Sequence, residues 1–373
     1  MGQPSKKLRA KLAHDASRTP RMNSTRGAAN NLSPANETKV TGAGGLRDFE
    51  AAAAIRSEGW GTLGFGDKVQ RIGVIIPTYK RDSALESTLL QLSLQTVLPS
   101  EVVVVDNADS DTCRAMCLRL SIELPFELTY MPSSQNRGPA GATLLGMEHL
   151  LPRLDDNDWI ARGDDDSPTV STSHFRRMLD VADVARTRTP MLGGIGRSGA
   201  KFDYRTGLLS KPLATEDRLV LVDYLATNSF PLFSVSAVRR MGGFRDDLFF
   251  GHTEVEYGLR MRRAGYHLYR YDAPGAKRTR RRRSLSVTTP TWRGYYSLRN
   301  HVVIVREYCG TFVTLRVIII ALAKPLLNVL VRPRAALETL RLNWQAVSDA
   351  LTGRMGRTIE PSVRDGELDR RGA

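Results

Sequence analysis

The segment RIGVIIPTY, residues 71–79, decides the fold class of this 373-residue chain. Residues 72–77 are apolar without interruption, and Thr78 and Tyr79 follow them. An apolar run that ends in polar residues is typical of a strand buried on both faces of a parallel sheet. The segment therefore predicts the first strand of an α/β domain, with its polar end at one edge of the sheet.

The residues after this strand alternate between helical and extended patterns, which is typical of a mostly parallel sheet with flanking helices. Further strands are predicted in EVVVVDNA (101–108), FELTYMP (126–132) and DWIARGDDD (158–166), and helices over 83–94, 111–120 and 139–151. Later segments predict a hairpin near KFDYRTGLL (201–209) and a helix in TEVEYGLRMRRAG (253–265).

Polar residues follow each predicted strand of the first half. Ligands of open α/β sheets bind beyond the carboxyl ends of the strands, and the ends of parallel strands share one edge. The candidate ligand-binding residues at this edge are Pro77, Thr78, Tyr79 and Arg81 after the first strand, Asp106 and Asn107 after the second, Asn136, Arg137 and Gly138 after the third, and Asp164, Asp165 and Asp166 after the fourth.

The acidic triplet at residues 164–166 requires a counter-charge, because adjacent carboxylates repel one another at a buried strand end. Carboxylate oxygens suit Mg²⁺ or Mn²⁺, which also bind substrate phosphates. Side chains alternate along an extended chain, so Asp164 and Asp166 are the predicted metal ligands and Asp165 faces a sugar or solvent. The alternative is a solvated acidic turn that continues into Ser167.

Composition narrows the class of partner. The net charge of +15 favours a polyanion, which could be a nucleic acid, a phosphorylated substrate or an anionic membrane surface. Three cysteines are too few for a disulfide framework, and the N-terminal residues lack the order of a secretory signal, so we expect a cytoplasmic protein. A dinucleotide oxidoreductase is disfavoured because no G-x-G-x-x-G follows the first strand.

The sequence predicts five regions. We expect a disordered basic tail, a lead-in segment, an α/β domain in two halves, apolar or amphipathic helices and a charged frayed tail. Their ranges are 1–47, 48–70, 71–308 (halves 71–167 and 168–308), 309–352 and 353–373.

Two stretches near the C-terminus bear on membranes. Residues 311–331 are apolar for a spanning length but include Arg316, Lys324 and Pro325, so an interfacial or core helix is favoured over a span. The basic run over 277–283 suits a diphosphate or anionic lipid, or is a solvated loop.

Five of these segments together resemble the family 2 glycosyltransferases of the GT-A fold. WRGYYSLRNHVVIVREY (292–308) looks like the subset that includes rhamnosyltransferases and bacterial galactofuranosyltransferases. Its Arg299 and Asn300 are candidates to point into the active site. The five segments are GVIIPTYKR (73–81), VVVVDNADSD (102–111), NRGPAGA (136–142), WIARGDDDS (159–167) and FFGHTEVEYGLRMRRAGY (249–266).

The resemblance implies a nucleotide-sugar donor across the strand ends. Thr78, Arg81 and Asp106 would contact its base and ribose, and residues 136–138 would lie beside the ribose and diphosphate. A fixed carboxylate at Asp106 would accept hydrogen bonds from a uracil or thymine N–H and from ribose hydroxyls. The alternative for Asp106 and Asn107 is an Asx turn that ends the strand.

The resemblance also places the catalytic base in an acidic pair that matches Thr253 and Glu254. Glu254 is the candidate base. Glu256 is a possible acid partner, although Thr253 and Glu256 also fit a capping box. The chain departs from the family pattern in two ways. Thr253 stands in place of an acid, and APGAKRTRRRRS (273–284) lacks the metal-binding histidine that relatives often have there. His252 or water would have to take the place of that histidine in a metal site.

The resemblance implies an inverting transferase that uses a UDP- or dTDP-sugar, such as galactofuranose or rhamnose. The expected acceptor is a hydroxyl of a glycan or lipid-linked glycan in polysaccharide or cell-envelope assembly. The expected location is the inner face of the plasma membrane, on an anionic surface and without nucleic acid. The alternatives are a metal-dependent nucleotidyltransferase on a similar scaffold and a basic nucleic-acid-binding protein.

Overall fold

The computed structural model describes residues 70–169, 171–212, 218–272, 291–327 and 332–361, and the backbone of 282–283. The tail predicted over 1–47, the lead-in up to residue 69 and the end of the chain from residue 362 lie outside these residues. Residues 328–331 also lie outside them. The same holds for residues 273–281 and 284–290, which contain most of the basic run (277–283) and most of the segment without a histidine (273–284).

The first half alternates strands and helices as predicted, because its apolar segments bury in the sheet and its amphipathic segments cover it. All residues of the first two strands are buried. The elements are β1 (Ile72–Thr78), α1 (Asp82–Leu92), β2 (Glu101–Asp106), α2 (Asp111–Glu123), β3 (Glu127–Pro132), α3 (Gly138–Leu150) and β4 (Trp159–Arg162).

The second half contains shorter strands and ends in three helices. The hairpin predicted over 201–209 is confirmed as an antiparallel pair, with Phe202 opposite Leu209. The elements are α4 (His174–Arg188), β5 (Leu192–Gly196), β6 (Gly199–Asp203), β7 (Leu208–Ser210), β8 (Leu219–Val222), β9 (Tyr224–Leu225), β10 (Leu232–Ser234), α5 (Val235–Met241), α6 (Thr253–Arg263), β11 (His267–Tyr271), β12 (Arg282–Arg283), α7 (Trp292–Tyr308), α8 (Thr311–Leu326) and α9 (Pro333–Thr352).

Within the described residues, the main sheet has eight strands in the order β3-β2-β1-β4-β10-β5-β11-β8. Strands β1 to β4 are mutually parallel, β10 and β8 are antiparallel to their neighbours, and β11 is parallel to β5. The predicted α/β class with a mostly parallel sheet and flanking helices is confirmed. A smaller sheet pairs β12, β7, β6 and β9.

The register of the parallel strands brings their polar ends together. Thr78 lies opposite Asp106, which in turn lies opposite Pro132. The amide of Gly163, just after β4, donates to the carbonyl of Ile75 at 3.0 Å. Residues 77–81, 106–107, 136–138 and 164–166 therefore follow strands that end at one edge of the sheet, and we call them the strand-end rim.

Helices α7, α8 and α9 share an apolar core with α6 and with the residues that lead into it. Leu259 from α6, Val302 from α7, Val317 from α8 and Val347 from α9 are members of this core. Phe249, which precedes α6, belongs to it as well. The packing of the C-terminal helices therefore bears directly on the position of α6. Among the described residues, no helix combines the length and the apolar character that a bilayer crossing requires.

Candidate active site

Asp165 is the buried member of the acidic triplet. Its Oδ2 accepts a hydrogen bond from Thr78 Oγ1 at 2.9 Å, and Arg81 Nη1 lies 3.3 Å from its Oδ1. Thr88 Oγ1 donates to its backbone carbonyl at 2.8 Å. Burial raises the pKa of Asp165, while Thr78 and Arg81 oppose the rise. The expectation that Asp165 faces a sugar or solvent is therefore wrong, because β1 and α1 supply its polar partners inside the protein.

Asp164 and Asp166 are the exposed members of the triplet. The side chain of Asp164 is 33% exposed and that of Asp166 is 48% exposed. Asp164 forms an ion pair with Arg162, and Asp166 forms one with Arg81. The alternation predicted along this segment thus separates an outward pair of carboxylates from an inward one, and each outward carboxylate is paired with a guanidinium.

Asp106 is fully buried at the end of β2, and its carboxylate shapes the loop that follows. It accepts hydrogen bonds from the amides of Ala108 and Ser110, both at 2.8 Å, and from the hydroxyl of Tyr130 at 3.0 Å. This arrangement matches the alternative of a turn that ends the strand. A direct contact between Asp106 and a nucleotide base stays a prediction.

Asn107 ties the end of β2 to the residues that begin α3. Its Oδ1 accepts from the amide of Arg137 at 3.0 Å, and its Nδ2 donates to the carbonyl of Gly138 at 3.2 Å. Asn136 Oδ1 accepts from the amide of Gly138 at 2.9 Å. The polar residues after β2 and β3 therefore form one hydrogen-bonded unit.

Gly138 connects the rim to the second half of the domain. Its φ angle is +67°, and a Cβ at this position would lie 2.3 Å from the carbonyl oxygen of Phe249. The two backbones approach so closely that a side chain would not fit between them.

Two other residues of the rim differ in exposure: Pro77 is buried within β1, and Tyr79 is exposed.

The loop over residues 246–252 leads into α6, and we call it the α6 loop. Phe249, Gly251 and His252 have positive φ angles of 59°, 76° and 59°. Such conformations cost energy for residues other than glycine, so the loop needs partners that hold it in place. Two side chains of α7 supply them.

Arg299 and Asn300 are fully buried and bind the carbonyls of the α6 loop. Asn300 Nδ2 donates to the carbonyls of Phe250 and Gly251 at 2.8 Å and of Leu248 at 2.9 Å. Arg299 Nη2 donates to the carbonyl of Leu248 at 3.0 Å. The expectation that these residues point into the active site is wrong, since the loop carbonyls occupy their donors.

The segment after α9 folds back onto the same loop. The amide of Gly356 donates to the carbonyl of Asp247 at 2.6 Å, and Arg299 Nη1 donates to the carbonyl of Gly356 at 2.7 Å. The hydroxyl of Tyr296 accepts from the amides of Thr358 and Ile359 at 3.0 and 2.9 Å. The frayed tail predicted from residue 353 is therefore wrong for residues 356–359, which buried donors and acceptors hold in place.

Glu254 lies in the first turn of α6 and is partly exposed. Burial raises the pKa of its carboxyl, the positive charge of Arg162 lowers it, and the negative charge of Asp164 raises it. Thr253 Oγ1 lies 3.3 Å from its Oε2. The structure thus brings the predicted base into the electrostatic field of the acidic triplet and of Arg162.

Glu256 pairs with an arginine of its own helix. Its buried carboxylate accepts from Arg260 Nε at 3.0 Å and from Arg260 Nη2 at 3.2 Å, one helical turn later. Thr253 is the first residue of the helix and His252 is the N-cap, without a side-chain cap. The predicted capping box is therefore wrong, and Glu256 forms an internal ion pair that gives no support to its role as an acid partner.

Arg162 is not among the site residues predicted from the sequence. This residue ends β4, is almost fully buried, pairs with Asp164 and acts electrostatically on Glu254. A guanidinium inside an otherwise apolar strand was the signal that could have identified it, because a buried charge is rare without a partner.

The outward carboxylates fit a hard divalent cation. Among the described residues, no three histidine, cysteine, aspartate or glutamate side chains converge on one metal position. Mg²⁺ and Mn²⁺ do not need such a cluster, since they bind one or two carboxylates and complete their shell with phosphate oxygens and water. Asp164 and Asp166 are the carboxylates that such an ion could use, and in this structure they pair with Arg162 and Arg81. The ring of His252 lies beside that of His301, with 6.1 Å between centroids.

Two solved structures have a partly similar fold. One is the mannosyltransferase PcManGT from Pyrobaculum calidifontis in complex with GDP-Man and Mn²⁺. It is 18% identical with a TM-score of 0.44, over 82% of this chain and 94% of that protein. The other is TarS from S. aureus, which is 16% identical with a TM-score of 0.40, over 64% of this chain and 40% of that protein.

The sequence is similar to that of the galactofuranosyltransferase GlfT1 from two species. The protein from Mycobacterium tuberculosis is 29% identical over 205 residues, which are 52% of this chain and 66% of that protein. The protein from Mycolicibacterium smegmatis is 28% identical over 202 residues, which are 51% of this chain and 65% of that protein. The matched region thus spans just under two thirds of these relatives.

A family model covers the whole strand-end rim and much of the sheet. Residues 73–240, from β1 to α5, match the model described as glycosyl transferase family 2. The predicted resemblance to the galactofuranosyltransferases of this family is also confirmed by the two relatives. Residues 73–240 therefore have the sequence pattern of glycosyltransferase family 2, and this part of the chain resembles the galactofuranosyltransferases.

Proposed function

We propose that this protein transfers a sugar from a nucleotide-diphosphate donor to an acceptor hydroxyl, with inversion at the anomeric carbon. The donor is a UDP- or dTDP-sugar, and the acceptor is a glycan or a lipid-linked glycan. The match of residues 73–240 to glycosyltransferase family 2 supports sugar transfer, and the geometry of the strand-end rim and α6 supports the division of roles given below.

The observation that carries this proposal is the close approach of the strand-end rim to the α6 loop, where Gly138 lies against the carbonyl of Phe249. Arg162 and Asp164 of the first half also act electrostatically on Glu254. The carboxylate of Glu254 comes from the second half of the domain and the acidic triplet comes from the first. The charge of Asp164 in the triplet raises the pKa of Glu254. A base from one half of the domain and a diphosphate site from the other have the layout that inverting transfer requires, since attack and departure occur on opposite faces of the sugar.

Glu254 is the proposed base. The acceptor oxygen forms a bond to the anomeric carbon while the bond from that carbon to the diphosphate oxygen breaks, and the hydroxyl proton passes to the Glu254 carboxylate. Its raised pKa suits this role, because a base whose pKa approaches the working pH accepts a proton more effectively than an ordinary carboxylate. Thr253 stands where the family pattern has the first acid of the pair, and its Oγ1 lies 3.3 Å from Glu254 Oε2.

Asp164 and Asp166 are the residues that would hold Mg²⁺ or Mn²⁺. A bound divalent cation supplies positive charge to the departing diphosphate. Arg81 and Arg162, which pair with these carboxylates, provide further positive charge at the same place. Thr78 orients the triplet through its hydrogen bond to Asp165, and residues 136–138 form the proposed wall of the donor site.

The proposed first donor to test is UDP-galactofuranose, because two GlfT1 proteins are among the relatives of this chain. A rhamnose donor is the second choice. We also propose that the protein works in cell-envelope polysaccharide assembly at the cytoplasmic face of the membrane. The net charge of +15 supports an anionic surface as a partner.

The test is a screen of UDP- and dTDP-sugars for transfer and donor hydrolysis, with and without Mg²⁺ or Mn²⁺. We expect Asp166→Ala to lose the metal-supported part of donor binding. Glu254→Gln should keep donor binding and lose transfer by about a thousandfold, the usual size of a general-base contribution. Unchanged transfer by the Gln variant would remove Glu254 from its assigned role.

The identity of the released product separates this function from nucleotidyl transfer on a similar scaffold. Sugar transfer releases a nucleoside diphosphate, whereas nucleotidyl transfer releases pyrophosphate. Detection of pyrophosphate with every active donor would overturn the proposed reaction and leave the phosphate site intact.

A further inference from the structure

Helices α8 and α9 present large apolar side chains to solvent. Phe312 is 83% exposed, Ile319 63% and Trp344 65%. Leu326 and Leu337 are also exposed. Scattered apolar residues are common on protein surfaces, but a contiguous apolar face on two neighbouring helices is typical of an interaction site.

A groove of about 620 Å³ runs between the two helices within this face. Its walls include Ile319 and Leu326 from α8 and Leu337, Leu340 and Trp344 from α9. The inner face of the pair is packed, and Asn343 Nδ2 donates to the carbonyl of Ala321 at 2.7 Å. The helices are therefore joined along their buried faces, and the apolar outer face is a fixed feature of the fold.

Positive charges flank the apolar face. Lys324, Arg332, Arg334 and Arg341 are exposed. Glu338 is the single acidic residue in the sequence between residues 311 and 344. An amphipathic element with a broad apolar face and flanking cations is the pattern of a segment that lies in the plane of a bilayer surface.

We propose that the α8–α9 face docks on an anionic phospholipid bilayer. Its leucine, isoleucine, phenylalanine and tryptophan side chains enter the boundary between headgroups and acyl chains, and its lysine and arginine side chains contact lipid phosphates. Trp344 suits this boundary because its ring is apolar and its N–H is polar. Both helices would lie along the surface.

Charge favours a bilayer over a second copy of the chain as the occupant. A symmetric contact between two α8–α9 faces would bring like cations together around an apolar centre. An anionic bilayer instead neutralises Arg332, Arg334 and Arg341 while it buries the apolar side chains. The inference deepens the membrane-face location proposed above, and it can be measured without a sugar donor.

The first test is flotation of the full chain with vesicles of phosphatidylcholine alone or mixed with phosphatidylglycerol. We expect binding to the mixed vesicles that weakens as salt rises. The double variant Ile319→Gln/Leu326→Gln should lower vesicle affinity by about tenfold, because two buried apolar contacts are lost. Unchanged affinity in this variant would overturn the proposal.

The matched control is Leu118→Gln/Ile122→Gln in α2, where the two side chains are 61% and 88% exposed. This pair lies outside the α8–α9 face, so its replacement should leave vesicle binding unchanged. An equal loss in both double variants would mean that surface apolarity in general, and not this face, drives binding.

The fluorescence of Trp344 gives a readout that needs no destabilising change. Brominated phosphatidylcholine in the mixed vesicles should quench it, and Trp344→Phe should abolish most of that quenching while the protein still binds. Bound protein without quenching of Trp344 would overturn the proposal.

A second copy of the chain would be the true occupant if the protein did not bind vesicles but self-associated, and if the Ile319→Gln/Leu326→Gln variant abolished that self-association. Neither failure would count against the proposed sugar transfer, because the vesicle experiments contain no sugar donor and do not measure transfer.

Discussion

The strand-end rim and the α6 loop meet where Gly138 approaches Phe249, but they are stabilised in different ways. The rim is held by bonds between neighbouring strand ends, such as Thr78 to Asp165 and Asn107 to Gly138. The α6 loop is held by residues that follow it by about fifty positions, chiefly Arg299 and Asn300. The rim is thus a consequence of the sheet, whereas the loop and the base that follows it depend on distant packing.

This difference separates binding from chemistry. Damage to the rim should weaken donor binding, because the rim contains the proposed donor contacts. Damage to the α7 contacts should displace Glu254 and slow transfer while the donor site stays intact. The four predictions below test that division.

Asn300→Leu is expected to have the largest effect. The substitution keeps the branched shape of the side chain but removes the donor that three carbonyls of the α6 loop share. We expect a loss of about 3 kcal/mol in the free energy of unfolding, because buried acceptors are left without partners. The kcat should fall by about a hundredfold as Glu254 is displaced, with the donor KM unchanged. Denaturant unfolding and initial rates measure both effects.

Asn343→Leu is the matched control for this prediction. Asn343 is also a buried asparagine, but it donates to one carbonyl, that of Ala321 in α8. The variant should lose less stability and keep its kcat. If folded Asn300→Leu protein turned over at the wild-type rate, the α6 loop would not depend on α7 and the contrast would fail.

Gly138→Ala should have the next largest effect. The positive φ angle alone costs about 1 kcal/mol with a Cβ. The added methyl group would also meet the carbonyl of Phe249, so the rim and the α6 loop must move apart. We expect the donor KM to rise by about tenfold as residues 136–138 shift, a change equivalent to about 1.4 kcal/mol.

Gly265→Ala controls for the backbone cost in the preceding variant. Gly265 has a φ angle of +89°, and a Cβ there would meet nothing within 4 Å. This variant should lose stability and keep its donor KM. An equal effect of the two variants on KM would show that the close approach of Gly138 to Phe249 has no part in donor binding.

The rim could be predicted from the sequence, because parallel strands must end at a common edge and strand ends are visible as polar breaks in apolar runs. The orientation of Asp165 could not, because it depends on Thr78 and Arg81 from another strand end. The α6 loop could not be predicted either. Its positive φ angles are set by Arg299 and Asn300, and no local pattern links these residues to the loop.

Glu256 shows the limit of local patterns. Thr253 and Glu256 have the spacing of a capping box, yet Glu256 pairs with Arg260. The box requires Thr253 outside the helix, and the hydrogen bond from the Glu256 amide to the His252 carbonyl starts the helix one residue earlier. The α7 contacts that fix the loop before His252 therefore override the local signal.

Arg162→Gln is expected to shift the pH dependence of transfer. Burial raises the pKa of Glu254 and the positive charge of Arg162 lowers it, so loss of that charge should raise the pKa further. A base must be deprotonated, so the acidic limb of kcat/KM should move to higher pH when this nearby positive charge is lost. Arg162→Lys, which retains the charge, should leave the limb near its wild-type position. A limb that moves to lower pH in the Gln variant would contradict the placement of Arg162 beside the base.

Glu256→Gln should have the smallest effect on catalysis. Its carboxylate is buried and paired with Arg260, so the neutral amide should cost about 1 kcal/mol of folding stability through the weakened ion pair. Because Glu256 is paired with Arg260 and Glu254 is the proposed base, the kcat should stay within about twofold of wild type, well below the effect of a lost general base. Thermal unfolding and initial rates, compared with those of Glu254→Gln, measure the difference. A loss of transfer as large as that of Glu254→Gln would return Glu256 to the role of acid partner and would mean that the ion pair with Arg260 opens when the acceptor binds.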